Sequence, residues 1–167
     1  MKFYLAARYS RRTELVAYRD DIESWGGVVT SRWLEGNHQI SDGEEANPKD
    51  ARTFAVEDRD DVLAADYVIA FTEEPRATNS RGGRHVELGI ALGAGKRVIV
   101  VGPRENVFVW LPSVKHFDGW GEDIEFFLGG VAPHTVTCSF GPSDGWECSS
   151  ACEAWRGGGI TSQPDAP

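Results

Sequence analysis

Cysteine and long apolar runs are both scarce in this 167-residue chain. The three cysteines, Cys138, Cys148 and Cys152, all lie beyond residue 137, and an odd number without a secretory signal indicates reduced thiols. No stretch approaches the roughly 20 apolar residues of a membrane span. The apolar part of residues 1–8 is too short for a secretory signal. We therefore expect a cytoplasmic protein that has no membrane partner.

Basic residues are also in the minority. Lysine and arginine number 17 against 26 aspartates and glutamates, which gives a net charge of -9. A protein that binds polymeric nucleic acid needs a basic face for phosphate contacts, so this balance argues against such a partner. A single nucleotide or nucleoside remains a suitable ligand, because a local group of arginines can oppose the overall charge.

A metal site is only weakly indicated, near the C-terminal end. His134, Cys138, Cys148 and Cys152 could supply four zinc ligands, but their spacing matches no standard zinc module. A loosely ordered tail is the simpler interpretation. We expect neither a metal nor a cofactor.

Apolar segments alternate with amphipathic ones over residues 1–130. Near-continuous apolar strands separated by helices predict an α/β fold, namely a single Rossmann-like (flavodoxin-like) domain with a five-stranded parallel sheet flanked by helices. Residues 131–167 are rich in Gly, Ser and Pro, which predicts a poorly ordered C-terminal extension. The predicted strands cover residues 2–7, 28–30, 66–72, 96–101 and 115–118, and the predicted helices cover 11–25, 48–65, 82–95, 104–112 and 120–128.

The segment around Glu87 is the most informative part of the sequence. Gly82 and Gly83 open a predicted helix that ends at Gly95, and Glu87 is predicted to lie in its first turn. Free N–H groups and a partial positive charge at a helix N-terminus suit a polar or anionic ligand, so we expect both opening glycines to line a binding site. Glu87 is either an ordinary helix acid or a nucleophile that the helix N-terminus keeps ionised at a βα crevice.

Asp58 is the second candidate and lies within the charge run 57–61. Such a run usually covers a solvated face, but five positions sweep more than one helical turn. Phe54 and Val62 lie four residues to either side, so Asp58 belongs to the inward stripe, for which Phe54, Val62 and Leu63 are the predicted apolar members. Asp58 therefore points either toward the crevice or into the protein as a structural acid.

Other candidate residues follow or lie within the first two strands. Tyr4 either packs in the core or donates a hydrogen bond that tunes a carboxylate. The arginines after the first strand bind an anion or form a solvated helix start; they are Arg8, Arg11 and Arg12. Arg32 and Trp33 follow the second strand, where a planar side chain can stack on a base, although core packing fits Trp33 equally well.

Four segments together resemble the nucleoside 2-deoxyribosyltransferase family. They are Tyr4–Ala7, Asp58 at eight residues before Asp66, the strand 65–70, and Gly82–Leu92 with its Glu-Leu-Gly motif. The wider superfamily includes N-glycosidases that cleave (deoxy)nucleoside 5'-monophosphates. The resemblance covers roughly residues 2–118 and identifies residues 1–130 as a deoxyribosyltransferase-like domain.

The resemblance implies an enzyme, its substrate and the roles of three residues. Glu87 would attack the anomeric carbon of a nucleoside or nucleoside monophosphate, Asp58 would contact the base or assist its protonation, and Tyr4 would position the attacking carboxylate. The sugar would pass to another base or to water. A binding or signalling module of the same fold without turnover, or a phosphate-binding protein with structural acids, are the alternatives.

The chain also departs from the family pattern. The related nucleotide hydrolases hold phosphate with a serine six residues before the nucleophile, where this chain has Arg81, and with another in the first loop, where it has Ala7 or Arg8. Arginine can hold a phosphate with two hydrogen bonds, so a monophosphate remains a possible substrate. The resemblance further implies a homodimer or higher homo-oligomer, in which Asn106 could complete a neighbour's sugar site.

Overall fold

The computed structural model describes residues 1–36, 38, 47–74 and 82–131. All of them belong to the first of the two units into which the chain divides, Met1–Thr135. The predicted extension beyond residue 131, the four candidate zinc ligands and Arg81 lie outside the described residues, so those expectations stay predictions.

The described chain alternates strands with helices, as the sequence predicts. The strands are β1 (Lys2–Ala6), β2 (Val28–Val29), β3 (Tyr67–Phe71), β4 (Arg97–Val101) and β5 (Val114–Phe117). The helices are α1 (Arg12–Ser24), α2 (Pro48–Ala64), α3 (Gly83–Gly93) and α4 (Glu122–Val131). Three short 3-10 helices span Tyr9–Arg11, Arg32–Leu34 and Val107–Trp110; the last of these stands where a short helix over 104–112 is predicted.

The five strands form one parallel sheet in the order β2-β1-β3-β4-β5. This is the flavodoxin-like order, and the predicted fold class is confirmed. Every residue of β3 is buried, which fits its position at the centre of the sheet. In such sheets ligands bind beyond the carboxyl ends of the strands where the strand order reverses, which here is between β1 and β3.

The two faces of the sheet are covered by different helices. The ring of Phe71 stacks on Tyr18 of α1 at 5.4 Å between centroids, so α1 covers that face. Tyr4 lies opposite Val68 in the register and points to the other face, where it reaches Glu87 of α3. Helices α2 and α3 pack against each other on this second face.

Local signals in the sequence explain where α2 and α3 begin. Asn47 accepts a hydrogen bond from the Lys49 N–H at 3.0 Å, and Pro48 occupies the first helical position. Gly82 has φ of +83°, a conformation that favours glycine, and its carbonyl accepts the first bonds of α3. Helix α3 ends at Gly93, two residues before the predicted end.

One predicted core position of α2 is wrong. Leu63 is 44 % exposed, whereas Val62 is fully buried. Successive helical residues are turned by about 100°, and the inward stripe passes through Asp58, Asp61 and Val62, which turns Leu63 outward. Within the described residues, we find no helix with the length and apolar character needed to traverse a bilayer.

Candidate active site

Tyr4 and Glu87 meet on the α2/α3 face of the sheet. The Tyr4 hydroxyl donates a hydrogen bond of 3.0 Å to Glu87 Oε1, and Tyr4 itself is fully buried. The other carboxylate oxygen, Oε2, is buried and has no hydrogen-bond partner. Because α3 begins at Gly83, Glu87 lies in the second turn and not in the predicted first turn, which contains no acid.

The charge state of Glu87 is set by opposing effects. The pKa of Glu87 is raised to about 7, mainly by burial and in second place by the nearby Asp58 carboxylate. The Tyr4 hydrogen bond and the Arg84 guanidinium oppose this shift. With a pKa of about 7, Glu87 is about half ionised at neutral pH, so the expectation that the helix N-terminus keeps it ionised stays a prediction.

Asp58 lies on α2, and its charge acts on both Glu87 and Tyr4. Burial raises the pKa of Asp58 to about 6, while the neighbouring His38 lowers it. Its Oδ1 atom is buried without a hydrogen-bond partner. Burial raises the pKa of the Tyr4 hydroxyl well above 10, and the negative charges of Glu87 and Asp58 add to this, so the phenol stays a hydrogen donor. The predicted set of Tyr4, Asp58 and Glu87 therefore forms one interacting group.

The described residues include five buried side-chain atoms that lack a hydrogen-bond partner. Three of them are carboxylate oxygens, and a native protein leaves few such atoms without a reason. Donor groups of a ligand would satisfy the oxygens. The five are Asp58 Oδ1, Glu73 Oε2, Glu87 Oε2, His38 Nδ1 and Arg84 Nε.

The arginines of the first βα loop are all engaged with protein groups. Arg8 lies 3.7 Å from Glu73, which follows β3. Arg11 donates two hydrogen bonds to Glu14, at 2.8 and 2.6 Å, and its guanidinium lies over the Phe71 ring on the α1 face. Arg12 donates to the Leu34 carbonyl at 2.6 Å.

Arg32 and Trp33 serve the packing of the loop after β2. Both the backbone N–H and Nε of Arg32 donate to the Asp61 carboxylate, each at 2.9 Å. Trp33 is 5 % exposed, and its indole N–H donates to the Leu5 carbonyl at 2.9 Å. Of the two interpretations of Trp33, the structure places it in the core, so its ring has no free face for a base.

The remaining binding candidates within the described residues, Gly82, Gly83 and Asn106, follow β3 and β4 at the same edge of the sheet. Gly82 and Gly83 begin α3, and a Cβ atom added to either would meet no atom within 4 Å, so space is open beside them. Asn106 accepts a hydrogen bond from the Phe108 N–H at 2.9 Å and so caps the 3-10 helix Val107–Trp110.

Two residues near the site, His38 and Glu73, were not identified from the sequence, which also left open whether Arg84 holds a phosphate or only closes the loop. Arg84 is buried and donates to the Phe71 carbonyl at 3.1 Å and to both oxygens of Glu105 at 2.8 and 2.7 Å. His38 shares a 2.8 Å contact with Glu57. Glu73 follows β3 and Glu105 follows β4. An acidic residue shortly after an apolar strand was the sequence feature that could have identified each of them. The partners of these residues depend on contacts distant in sequence.

A metal centre is not formed by the residues that the structure describes. No group of three or more His, Cys, Asp or Glu side chains in that part of the chain is arranged to hold an ion.

Sequence comparisons find no match, whereas structural comparison finds solved structures with a similar fold. No protein-family model matches the chain, and comparison with curated proteins finds no match. The 2-deoxyribosyltransferase of Bacillus psychrosaccharolyticus matches with a TM-score of 0.57 and 18% identity, over 75% of this chain and 90% of that one. The CMP N-glycosidase BcmB of Clostridium botulinum aligns with a TM-score of 0.47 and 21% identity, over 78% and 98% of the two chains. The chain thus has the fold of the Bacillus protein.

Proposed function

We propose that this protein is an enzyme that cleaves the N-glycosidic bond of a (2'-deoxy)nucleoside or its 5'-monophosphate. The bond would be cleaved through a covalent glycosyl intermediate on Glu87, with the sugar passing to a second base or to water. The observation that carries this proposal is the hydrogen bond from Tyr4 to Glu87, together with a second carboxyl group, Asp58, which is half-buried and raises the pKa of Glu87. A site that only binds does not need such an arrangement.

The proposed chemistry needs two carboxyl groups in different protonation states. The ionised Glu87 carboxylate attacks the anomeric carbon, the bond from that carbon to the base nitrogen breaks, and its electron pair leaves with the base. A protonated Asp58 supplies a proton to the departing base. In the second half, the acceptor nitrogen or a water oxygen attacks the same carbon, gives its proton to the Asp58 carboxylate, and releases Glu87 as a carboxylate.

The pKa values of the two groups set the pH at which this state exists. The pKa of Glu87 is raised to about 7 and that of Asp58 to about 6. The Asp58 charge raises the pKa of Glu87, and between about pH 6 and 7 a single proton is held mainly by Glu87, which has the higher pKa. The reactive state, with Glu87 ionised and the proton on Asp58, is therefore the minor one-proton form, and the Tyr4 hydrogen bond and the Arg84 charge increase its share.

A homo-oligomer is part of the proposal. Large apolar side chains are exposed along one short stretch beside Asn106: Val107 (76%), Phe108 (62%), Trp110 (66%) and Leu111 (40%). Contiguous exposed apolar surface of this kind is typical of a protein interface. Light scattering on the purified chain would report a mass of at least two copies.

The deciding experiment measures base release. The protein is incubated with deoxynucleosides and nucleoside monophosphates, with and without a free acceptor base, and products are separated by chromatography. Release that falls about 10³-fold or more in Glu87→Ala supports the proposal, and Glu122→Ala, an exposed glutamate on α4, is the matched control. Dependence on the acceptor base identifies a transferase. Ligand binding without Glu87-dependent release would instead favour a non-catalytic nucleotide-binding module.

A further inference from the structure

A buried arginine, Arg84, joins three segments at the carboxyl edge of the sheet. It lies in the first turn of α3, and its Nη1 atom donates to the carbonyl of Phe71, the last residue of β3, at 3.1 Å. Its Nη2 atom donates to both carboxylate oxygens of Glu105, in the connection after β4, at 2.8 and 2.7 Å. These hydrogen bonds fix the position of the guanidinium group.

The pair of Arg84 and Glu105 is shielded from water. The two side chains are 3% and 10% exposed, so their charges act over a longer distance than surface charges do. His85 also lies near Glu105, at 3.6 Å, but its side chain is half exposed. The Nε atom of Arg84 is buried and has no hydrogen-bond partner. Glu105 therefore engages one end of the guanidinium and leaves the rest of its charge uncompensated.

Glu87 lies one helical turn after Arg84. Residues three positions apart on a helix are neighbours, so the guanidinium is held beside the carboxylate. Burial and the Asp58 charge from α2 raise the pKa of Glu87, whereas the Tyr4 hydrogen bond from β1 and the Arg84 charge lower it. Arg84 is the cation among these groups.

Arg84 does not, however, bond to Glu87. Tyr4 holds Glu87 Oε1, and Oε2 is buried without a partner, so Oε2 is the oxygen left to attack a sugar carbon. An arginine free to move would pair with that oxygen and occupy it. The two hydrogen bonds to Glu105 direct the guanidinium elsewhere, while its charge still acts on Glu87.

We propose that Glu105 is a positioning residue for the reaction: it holds Arg84 one turn from Glu87 and offsets part of its charge, so that Glu87 ionises while its attacking oxygen stays free. The inference rests on the proposed function and adds to it a residue in the connection after β4. Neither Glu105 nor Arg84 takes part in bond cleavage. Each acts through the charge and the free oxygen of the nucleophile.

The first test measures the ionisation of Glu87 without turnover. Carboxyl carbon NMR follows the pH titration of protein that carries isotope-labelled glutamate, and the Glu87 signal is the one missing from Glu87→Gln. Arg84→Met should raise the titration midpoint by about one pH unit, because the positive charge is lost. Arg84→Lys keeps the charge and should restore most of that shift. Glu105→Gln should lower the midpoint by about half a unit, because the Arg84 charge is no longer offset.

Opposite shifts from the two members of one ion pair are a result that simple loss of structure does not produce. The matched controls are Arg59→Met and Asp60→Asn, which break an exposed ion pair on α2 and should leave the midpoint unchanged. Shifts of Arg84→Met and Glu105→Gln in the same direction, or no shift in either, overturn the inference.

A double variant keeps the test decisive if Glu105→Gln does not fold. Arg84→Met combined with Glu105→Gln leaves no unpaired buried charge. Its midpoint should lie between that of the wild type and that of Arg84→Met, and a midpoint outside this interval overturns the inference.

The second test measures base release. Arg84→Met should lower kcat/KM about 10-fold near about pH 6.5, and the deficit should narrow toward about pH 9, where Glu87 ionises without help. Glu105→Gln should lower kcat about 10-fold at every pH, because Arg84 then occupies the attacking oxygen. Unchanged kcat in Glu105→Gln overturns the inference. Absence of Glu87-dependent release in the wild type removes the proposed function, whereas the NMR midpoints still decide whether Glu105 and Arg84 set the charge of Glu87.

Discussion

The Tyr4 hydroxyl in β1 donates a 3.0 Å hydrogen bond to Glu87 in α3, a residue 83 positions later in the chain. The bond joins the sheet to the helix and fixes the position of one carboxylate oxygen. It stabilises the ionised carboxylate and so lowers the pKa of Glu87, while burial raises that pKa. The balance between these effects can be measured.

Tyr4→Phe should raise the pKa of Glu87 further, because the ring stays and the hydrogen donor is lost. The limb of the pH–rate profile that rises with Glu87 ionisation should move to higher pH, and kcat/KM at neutral pH should fall about 10-fold. Tyr67→Phe is the control. Tyr67 is also buried, but its hydroxyl contacts Arg97 at the opposite edge of the sheet. If the pH–rate profile of Tyr4→Phe is the same as that of the wild type, Tyr4 does not position Glu87.

Asp58→Asn should lower kcat/KM about 100-fold, because the proton donor for the leaving base is lost. The loss should be greatest for bases that leave poorly. Since the Asp58 charge raises the pKa of Glu87, its removal should also move the Glu87 limb to lower pH. The matched control is Asp60→Asn, two residues away in the same charge run and 51% exposed. Equal rates for the two variants would contradict the proposed role of Asp58.

Glu87→Gln should stabilise the protein at high pH. The folded pKa of Glu87 is raised from 4.5 to about 7, so the folded state binds more protons than the unfolded state between those values. Stability of the wild type therefore falls as pH rises through this window, by up to about 3 kcal/mol. A glutamine does not ionise, so the variant should be as stable as the wild type at pH 4 and more stable at pH 8. Urea denaturation at both pH values tests this; equal stability at pH 8 would show that Glu87 is not desolvated.

The pair of Arg84 and Glu105 should contribute to stability through its burial, since the side chains are only 3% and 10% exposed. Glu105→Gln leaves a buried guanidinium without its counter-charge and should cost about 3 kcal/mol or more. Combining it with Arg84→Met should recover part of that loss in a double-mutant cycle. The exposed pair of Arg59 and Asp60 provides the comparison, and Arg59→Gln should change the free energy of unfolding by under about 1 kcal/mol.

The sequence predicts most of the fold because its signals are local. The apolar runs that form β3 and β4, and the Asn47-Pro48 start of α2, depend on neighbouring residues alone. The inward position of Asp58 followed from helical periodicity in the same way. For Tyr4 the sequence left two interpretations, core packing and a hydrogen bond to a carboxylate. In the structure Tyr4 does both, because its ring is buried and its hydroxyl donates to Glu87.

The remaining features depend on contacts between distant segments. An arginine after a strand looks the same in sequence whether it awaits a phosphate or pairs with an acid, as Arg8 does with Glu73. The raised pKa of Glu87 depends on how completely α2 and α3 exclude water, which no local pattern encodes. Leu63 was predicted to face the core but is exposed, whereas its neighbour Val62 is buried. Local periodicity did not resolve this difference of one helical position.

The three residues proposed for chemistry lie on regular elements, Tyr4 in β1, Asp58 in α2 and Glu87 in α3, whereas Arg8 and Glu73 lie in the connections that follow β1 and β3. Core packing therefore holds the reactive groups, whereas the connections after the strands are the segments that border a ligand in folds of this kind. The two sets can change independently: insertions or replacements after β1 and β3 can alter what is accepted without displacing the carboxyl pair. This separation makes the connections the natural place to redesign substrate choice.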